Sequence, residues 1–204
     1  MPDTAKSTQI FDEAIAEHLK VIQGLSPLRP LLEQIAVRMT DAVLSGHKIF
    51  WCGNGGSAAD SQHLAAELVG RFRRERKALP SIALSTNTSI VTAIGNDYGY
   101  DLVFRRQLEA LCSAGDVVVG ISTSGNSGNV CSALELAREL GAFTVAFTGE
   151  AGGKAAAIAE TALRMPSKDT ARIQEGHILC GHMICDWIEM AVSAQDASAG
   201  RGAK

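Results

Sequence analysis

The chain is predicted to be an α/β domain of the doubly wound kind: a three-layer sandwich with a central parallel sheet, preceded by N-terminal helices. Three observations carry this. From Lys48 onward, short apolar runs alternate with helical segments, the order of parallel strands joined by right-handed crossovers. The runs show little apolar–polar alternation, as strands covered on both faces do. The 204 residues, 46% of them apolar, suffice for one domain with its own core. In such folds ligands bind beyond the carboxyl ends of the strands.

Residues 8–45 carry two helical stripes. Ile10, Ala14, Ile15, His18, Leu19 and Ile22 form the first; Leu31, Leu32, Ile35, Ala36, Met39 and Val43 form the second. The break falls near Leu25-Ser-Pro27. Both stripes need burial, against the core or against another subunit. Strands are expected at Lys48–Cys52, Ser81–Leu84, Asp116–Gly120, Phe143–Phe147 and Ala162–Arg164. Helices are expected at Ser57–Val69, Thr88–Ile94, Leu102–Leu111, Asn129–Leu140, Lys154–Ala159 and Ala171 to about Val192. The resulting organisation is an N-terminal helical segment (1–45) available to an oligomer interface, a sandwich domain (46–193) and a flexible tail (194–204).

Composition narrows the function classes. Charged residues make up 20% and the formal net charge is −3, so nucleic acid is not an expected ligand. The one basic run, Arg71–Lys77, reads as a solvated helix end and loop. Five cysteines without a Cys-x-x-Cys pair argue against a disulfide framework or a thiolate zinc site and suit a reducing cytoplasm. The polar, acidic N-terminus is not a signal peptide, and no apolar run reaches the ~18 residues of a membrane span, so no membrane partner is expected.

Two loops follow strands in the ligand-binding position. Gly53-Asn-Gly-Gly-Ser-Ala58 fits G-x-G-x-x-A, but the next strand ends Ala83-Leu-Ser-Thr86 and lacks the acid that would hold a ribose. Its glycines suit close approach of backbone N–H groups to an oxygen-rich ligand, with Ser57 as helix cap. Ile121-Ser-Thr-Ser-Gly-Asn-Ser127 offers Ser122, Thr123, Ser124 and Ser127 at the start of a helix. Hydroxyls added to the unpaired N–H groups there suit a phosphate monoester. His63 and Glu67, four apart, share a helical face and form either a metal or proton-transfer pair or a plain surface pair. Gln174 and His182, eight apart, stand ~12 Å apart along a straight helix. They can meet one ion only if Gln174 precedes the helix or comes from a different subunit. His177 is expected to be a packed or capping histidine.

Taken together, Cys52–Ser57, Gln62–Arg71, Gly95–Asp97, Gly120–Ser127, Thr148-Gly149, Gly152–Lys154, Arg172–Glu175 and His182 resemble the sugar-isomerase (SIS) domain family, most closely its phosphoheptose isomerase branch. The resemblance implies an SIS fold, a sugar-phosphate substrate, and a homotetramer with one zinc ion per subunit near subunit interfaces. It implies zinc ligands His63, Glu67, Gln174 and His182. It implies substrate contacts at Asn54, Gly55, Gly56, Glu67, Asn96, Asp97, Ser122, Thr123, Ser124, Ser127 and Gln174. The reaction would be aldose–ketose isomerisation of sedoheptulose 7-phosphate through an enediolate, with Glu67 as general base and His182 as its acid–base counterpart. The product would feed heptose precursors of surface polysaccharide or lipopolysaccharide. Some members carry an acid where this chain has Ala171, so that role does not transfer. A related branch binds the replication initiator DnaA without catalysis; retention of His63, Glu67 and His182 favours the enzyme over such a regulator or a sugar-phosphate sensor.

Overall fold

The computed structural model describes residues 4–198 and Gly200, with side chains at 8–196 and 200. Helix α1 (Thr4–Gln23) leads through a 3-10 turn (Ser26–Leu28) into α2 (Arg29–Leu44), the break falling at Pro27 as expected. Then follow β1 (Ile49–Gly53), α3 (Gly56–Val69), β2 (Ser81–Ala83), α4 (Thr88–Tyr98), α5 (Arg105–Leu111), β3 (Val117–Ile121), α6 (Gly128–Glu139), β4 (Phe143–Thr148), α7 (Gly153–Ile158), β5 (Thr161–Arg164) and α8 (Thr170–Ser198).

All strand pairs are parallel and the sheet order is β2-β1-β3-β4-β5. The strands are apolar throughout because both faces are covered. Ile49, Trp51, Val117, Val119, Val145 and Phe147 face α2, α3 and α8. Phe50, Cys52, Val118 and Ala146 face α5 and α6. Beside the sheet the Trp51 indole donates to Ser81 Oγ at 2.9 Å. The wholly buried Asp116 accepts the backbone N–H of Lys48 and of Ser113 and pairs with Lys48 Nζ at 3.0 Å. That carboxylate stitches together the amino ends of β1 and β3, so Asp116 precedes the strand and does not open it.

The order reverses between β1 and β3. Chains leave this switch point in opposite directions, which opens a crevice at their carboxyl ends. Both glycine- and serine-rich loops lie there, one after each strand.

Three elements depart from expectation. Helix α4 runs on to Tyr98 and stops where Gly99 takes φ +90°; a 3-10 turn (Tyr100–Leu102) then replaces the start of the expected next helix. Helix α8 stays helical through Ser198, beyond the expected end near Val192, because Val192 is itself buried core. The proposed tail therefore overlaps this helix, and residues 199 and 201–204 lie outside the described part. Ser57 is not a cap: α3 begins at Gly56 after Gly55, and Ser57 is buried in the first turn with its carbonyl accepting Ser61 Oγ–H.

Helix α8 packs on α1, α2 and α3. It approaches α3 closely at Gly181, where a Cβ would come within 2.5 Å of Leu64. One turn earlier His177 is fully buried, its Nε2 set against the Thr148 carbonyl at 3.1 Å and its Nδ1 unpartnered. The packed-histidine expectation holds.

Burial pushes the His177 imidazole from 6.5 down to about 4. The folded state thus refuses a proton that the unfolded state accepts below pH 6.5, so the contribution is complete above 6.5 and is lost as pH falls towards 4. Wild-type protein should lose roughly 3 kcal/mol more stability between pH 7 and pH 4 than His177→Gln, as read by urea unfolding at each pH. Parallel curves for the two proteins would contradict this.

Candidate active site and metal centre

The first loop, Gly53–Gly55, turns sharply from β1 into α3, with Gly55 at φ +55°. Asn54 leaves it to form a reciprocal amide pair with Asn129: Nδ2 of each donates to Oδ1 of the other at 2.8 Å. Tyr100 adds its hydroxyl to Asn54 Oδ1 at 3.2 Å. Asn129 is buried in the first turn of α6, where its Oδ1 also accepts the Val130 N–H. The pair spans the switch point and ties the loop after β1 to the helix after β3. On the other side Gln174 presses against this loop; a Cβ on Gly56 would meet its Nε2 at 2.5 Å.

The second loop folds as a cradle. Ser122 Oγ and Ser127 Oγ are 2.9 Å apart, the Gly125 N–H returns to the Ser122 carbonyl, and Ser124 Oγ accepts the Asn126 N–H. Ser127 is the N-cap of α6 by position but makes no side-chain capping bond. Its hydroxyl pairs with Ser122 instead, and of the first-turn N–H groups that of Val130 is taken up by Asn129 Oδ1. The cradle rests on Gly152-Gly153: Gly125 has φ +68°, and a Cβ there would collide with the Gly152 carbonyl. Ala155 N–H and Gly149 N–H bond the carbonyls of Gly125 and Thr123, fixing the loop from below.

On α3, one turn apart, His63 and Glu67 reach towards α8. His63 Nε2 lies 2.8 Å from His182 Nε2 and 3.1 Å from Glu67 Oε1. Ligand atoms of all three fall within 4.8 Å of one another. The rings of His63 and His182 meet edge to face, with centroids 5.0 Å apart. Burial, and then the facing His63 ring, lowers the His182 pKa, in the direction of the neutral form that a metal ligand requires. Two imidazole nitrogens and a carboxylate oxygen suit a divalent transition metal with an open coordination position. The surface-pair alternative for His63 and Glu67 does not account for a second histidine aimed at the same point.

Gln174 is not in this group. Helix α8 is continuous from Thr170, so Gln174 and His182 lie ~12 Å apart along one axis, and the alternative that Gln174 precedes the helix is excluded. Asn96 and Asp97 stand exposed near the end of α4, bonded to each other at 2.7 Å. Three residues escaped the sequence reading. Asn129 and Tyr100 carry no motif signal, since their partner is remote in sequence. Asp60 sits one turn before His63 with Oδ2 buried and unpartnered, and burial pushes its carboxyl up to about 6; the Asp-x-x-His spacing was its available signal. The cysteines form no disulfide, and burial pushes the thiols of Cys52, Cys180 and Cys185 up to about 12, leaving them inert.

A family model described as the SIS domain matches residues 11–149. The phosphoheptose isomerase of Pelobacter propionicus is 58% identical over 165 residues, covering 81% of this chain and 87% of its own. Among solved structures, the phosphoheptose isomerase of Neisseria gonorrhoeae superposes with a TM-score of 0.81 at 45% identity, over 91% of this chain and 98% of that one. That of Francisella tularensis gives 0.84 at 36% identity, over 93% and 100%. With the fold and most of the length shared, the chain belongs to the SIS domain family and, within it, to the phosphoheptose isomerases.

Proposed function

We propose that the chain interconverts sedoheptulose 7-phosphate and D-glycero-D-manno-heptose 7-phosphate, supplying heptose precursors for surface polysaccharide or lipopolysaccharide in the cytoplasm. The observation that carries the catalytic part is the meeting of His63, Glu67 and His182 from two helices.

The substrate's phosphate sits among the hydroxyls of Ser122, Thr123, Ser124 and Ser127, at the positive end of α6. Asn54 and the backbone of Gly55 and Gly56 line the crevice, held in place by Asn129. Asn96, Asp97 and Gln174 orient sugar hydroxyls. Glu67 takes a proton from C1 of the ketose, leaving an enediolate with its charge on the C2 oxygen. His182 serves as the acid–base counterpart: Glu67 returns its proton to C2 while His182 relays the C1 hydroxyl proton to the C2 oxygen, and the aldehyde forms. His63, Glu67 and His182 would hold one zinc ion per subunit. When bound, such an ion supplies Lewis acidity that stabilises negative charge on a substrate oxygen. With Oε1 turned to His63, Glu67 uses its second oxygen for the proton.

The assembly belonging to this reading is a homotetramer. Ile10, Phe11, Ile15 and Leu19 on α1 are more than half exposed, and Met183 and Met190 on α8 nearly so. Isolated monomers rarely leave so much aliphatic and aromatic surface in water.

Two outcomes test the reading. Purified protein should turn over sedoheptulose 7-phosphate and lose that activity with a chelator; Glu67→Gln and His182→Ala should each cost ~10²–10⁴-fold in kcat with an unchanged circular dichroism spectrum. Full activity in either variant refutes the assignment, and no turnover in the zinc-loaded wild type favours a non-catalytic regulator. Asn129→Ala should leave Asn54 Nδ2 without its acceptor, raising KM for the sugar phosphate about tenfold and lowering stability by ~1–3 kcal/mol. Steady-state kinetics and urea unfolding measure both.

A further inference from the structure

The basic run Arg71–Lys77 is the solvated loop its composition suggests at Arg71, Arg73, Glu75 and Lys77, but it is anchored from within. Glu189, wholly buried on α8, accepts three successive backbone N–H groups, those of Phe72, Arg73 and Arg74, at 2.8, 2.7 and 2.8 Å. Consecutive N–H groups converging on one anion make a nest, here closed by a side chain of the same protein. Arg76, its side chain 1% exposed, brings Nε to 3.4 Å from Glu189 Oε1 and donates to the carbonyls of Glu67 and Gly70, closing the last turn of α3. Arg73 and Arg74 both pair with Asp186.

This anchoring does more than close a connection. It lays the Phe72 ring flat on His182, with centroids 5.3 Å apart and planes 17° from parallel. The Arg73 guanidinium carbon lies 5.0 Å from the centroid of the same Phe72 ring. His182 is thereby caught between the face of Phe72 and the edge of His63, with its Nε2 directed at the latter. An imidazole on a helix surface otherwise turns about two side-chain bonds, and each alternative takes Nε2 away from the cluster.

We propose that Phe72, delivered by the Glu189 nest, is a positioning residue that holds the His182 imidazole in its metal-binding orientation. It ligates nothing itself; it raises affinity by removing orientations of His182 that cannot bind. This rests on the reading that His63, Glu67 and His182 hold a divalent cation. Loss of the ring should weaken the site by the roughly 10–100-fold seen when other supports of ligating histidines are removed.

The test is zinc affinity of chelator-stripped full-length protein, measured by competition with a chromogenic chelator, with the cobalt(II) absorption spectrum as a second readout. Phe72→Ala and Phe72→Leu should both bind one zinc per chain 10–100-fold more weakly than wild type, and Phe72→Tyr, which keeps the flat ring, should restore affinity. The leucine variant keeps apolar volume and guards against a misfolded alanine variant; thermal unfolding of each protein checks this. Equal zinc affinity in wild type, Phe72→Ala and Phe72→Leu overturns the proposal while leaving the cation site intact. Wild-type protein that takes up no zinc, or binds it as well after His63→Ala, overturns the cation reading and this inference with it.

Discussion

The chemistry of this molecule depends on how closely α8 lies against α3. Both helices bury an apolar stripe on the same face of the parallel sheet, through Leu64 and Leu68 on one and Ile184 and Ile188 on the other. At the crossing the spacer is a hydrogen atom: Gly181 faces Leu64, where any side chain would force the helices apart. His63 and His182 flank these two residues in sequence. A displacement of the axes by the width of a methyl group would move their ring nitrogens from hydrogen-bonding range to one in which no single ion could touch both. The polar site is thus a consequence of core packing, since interiors of protein density do not yield by that much without cost.

A second constraint acts at the switch point. A parallel sheet of this order sends the chains after β1 and β3 in opposite directions, and a ligand placed there touches two loops that are distant in sequence. The Asn54–Asn129 pair couples these loops with two hydrogen bonds between buried or half-buried amides, where an unpaired amide is expensive. The cradle of Ser122 to Ser127 is fixed separately, on the Gly152-Gly153 turn. Each loop therefore arrives preformed, and the hydroxyls left over from structural bonding are the ones free to meet an anion.

The strands, their order of appearance, the two loops and the His63–Glu67 pair were legible because each is written in local pattern: β-branched runs, glycine spacing, a four-residue helical repeat. What was illegible shares a different character. Asn129, Tyr100 and Glu189 act on partners 46 to 117 residues away in sequence, so no window contains both members. Arg71–Lys77 is exposed as its charge implies, but its inner anchoring was hidden for a related reason. Charge implies solvent unless a buried counter-ion exists, and Glu189 lies in another helix whose local sequence, Cys-Asp-Trp-Ile-Glu-Met, gives no hint that its acid points inward. Ser57 looked like a cap because Ser before an apolar helix usually is one; Gly55 and Gly56 let the helix begin a residue early and draw Ser57 into the interior.

Gln174 shows how a covalent constraint bears on assembly. Eight helical residues put it ~12 Å along the axis from His182, and its amide lies close against Gly56, at the start of α3. Within one chain, then, Gln174 belongs with the substrate loops and His182 with the cation cluster. Only a second copy could bring a Gln174 to the ion. Such a copy would have to approach along α8, beside the exposed Met183 and Met190 and the bare stripe of α1. That stripe is joined to the amino end of α8 by polar contacts, His18 to Glu175 at 2.7 Å and Arg172 to the Ala14 carbonyl at 3.0 Å. The residues that fasten α1 therefore flank Gln174 on both sides. A force that shifted α1 at an interface would be passed through these two contacts to the turn of α8 that carries Gln174.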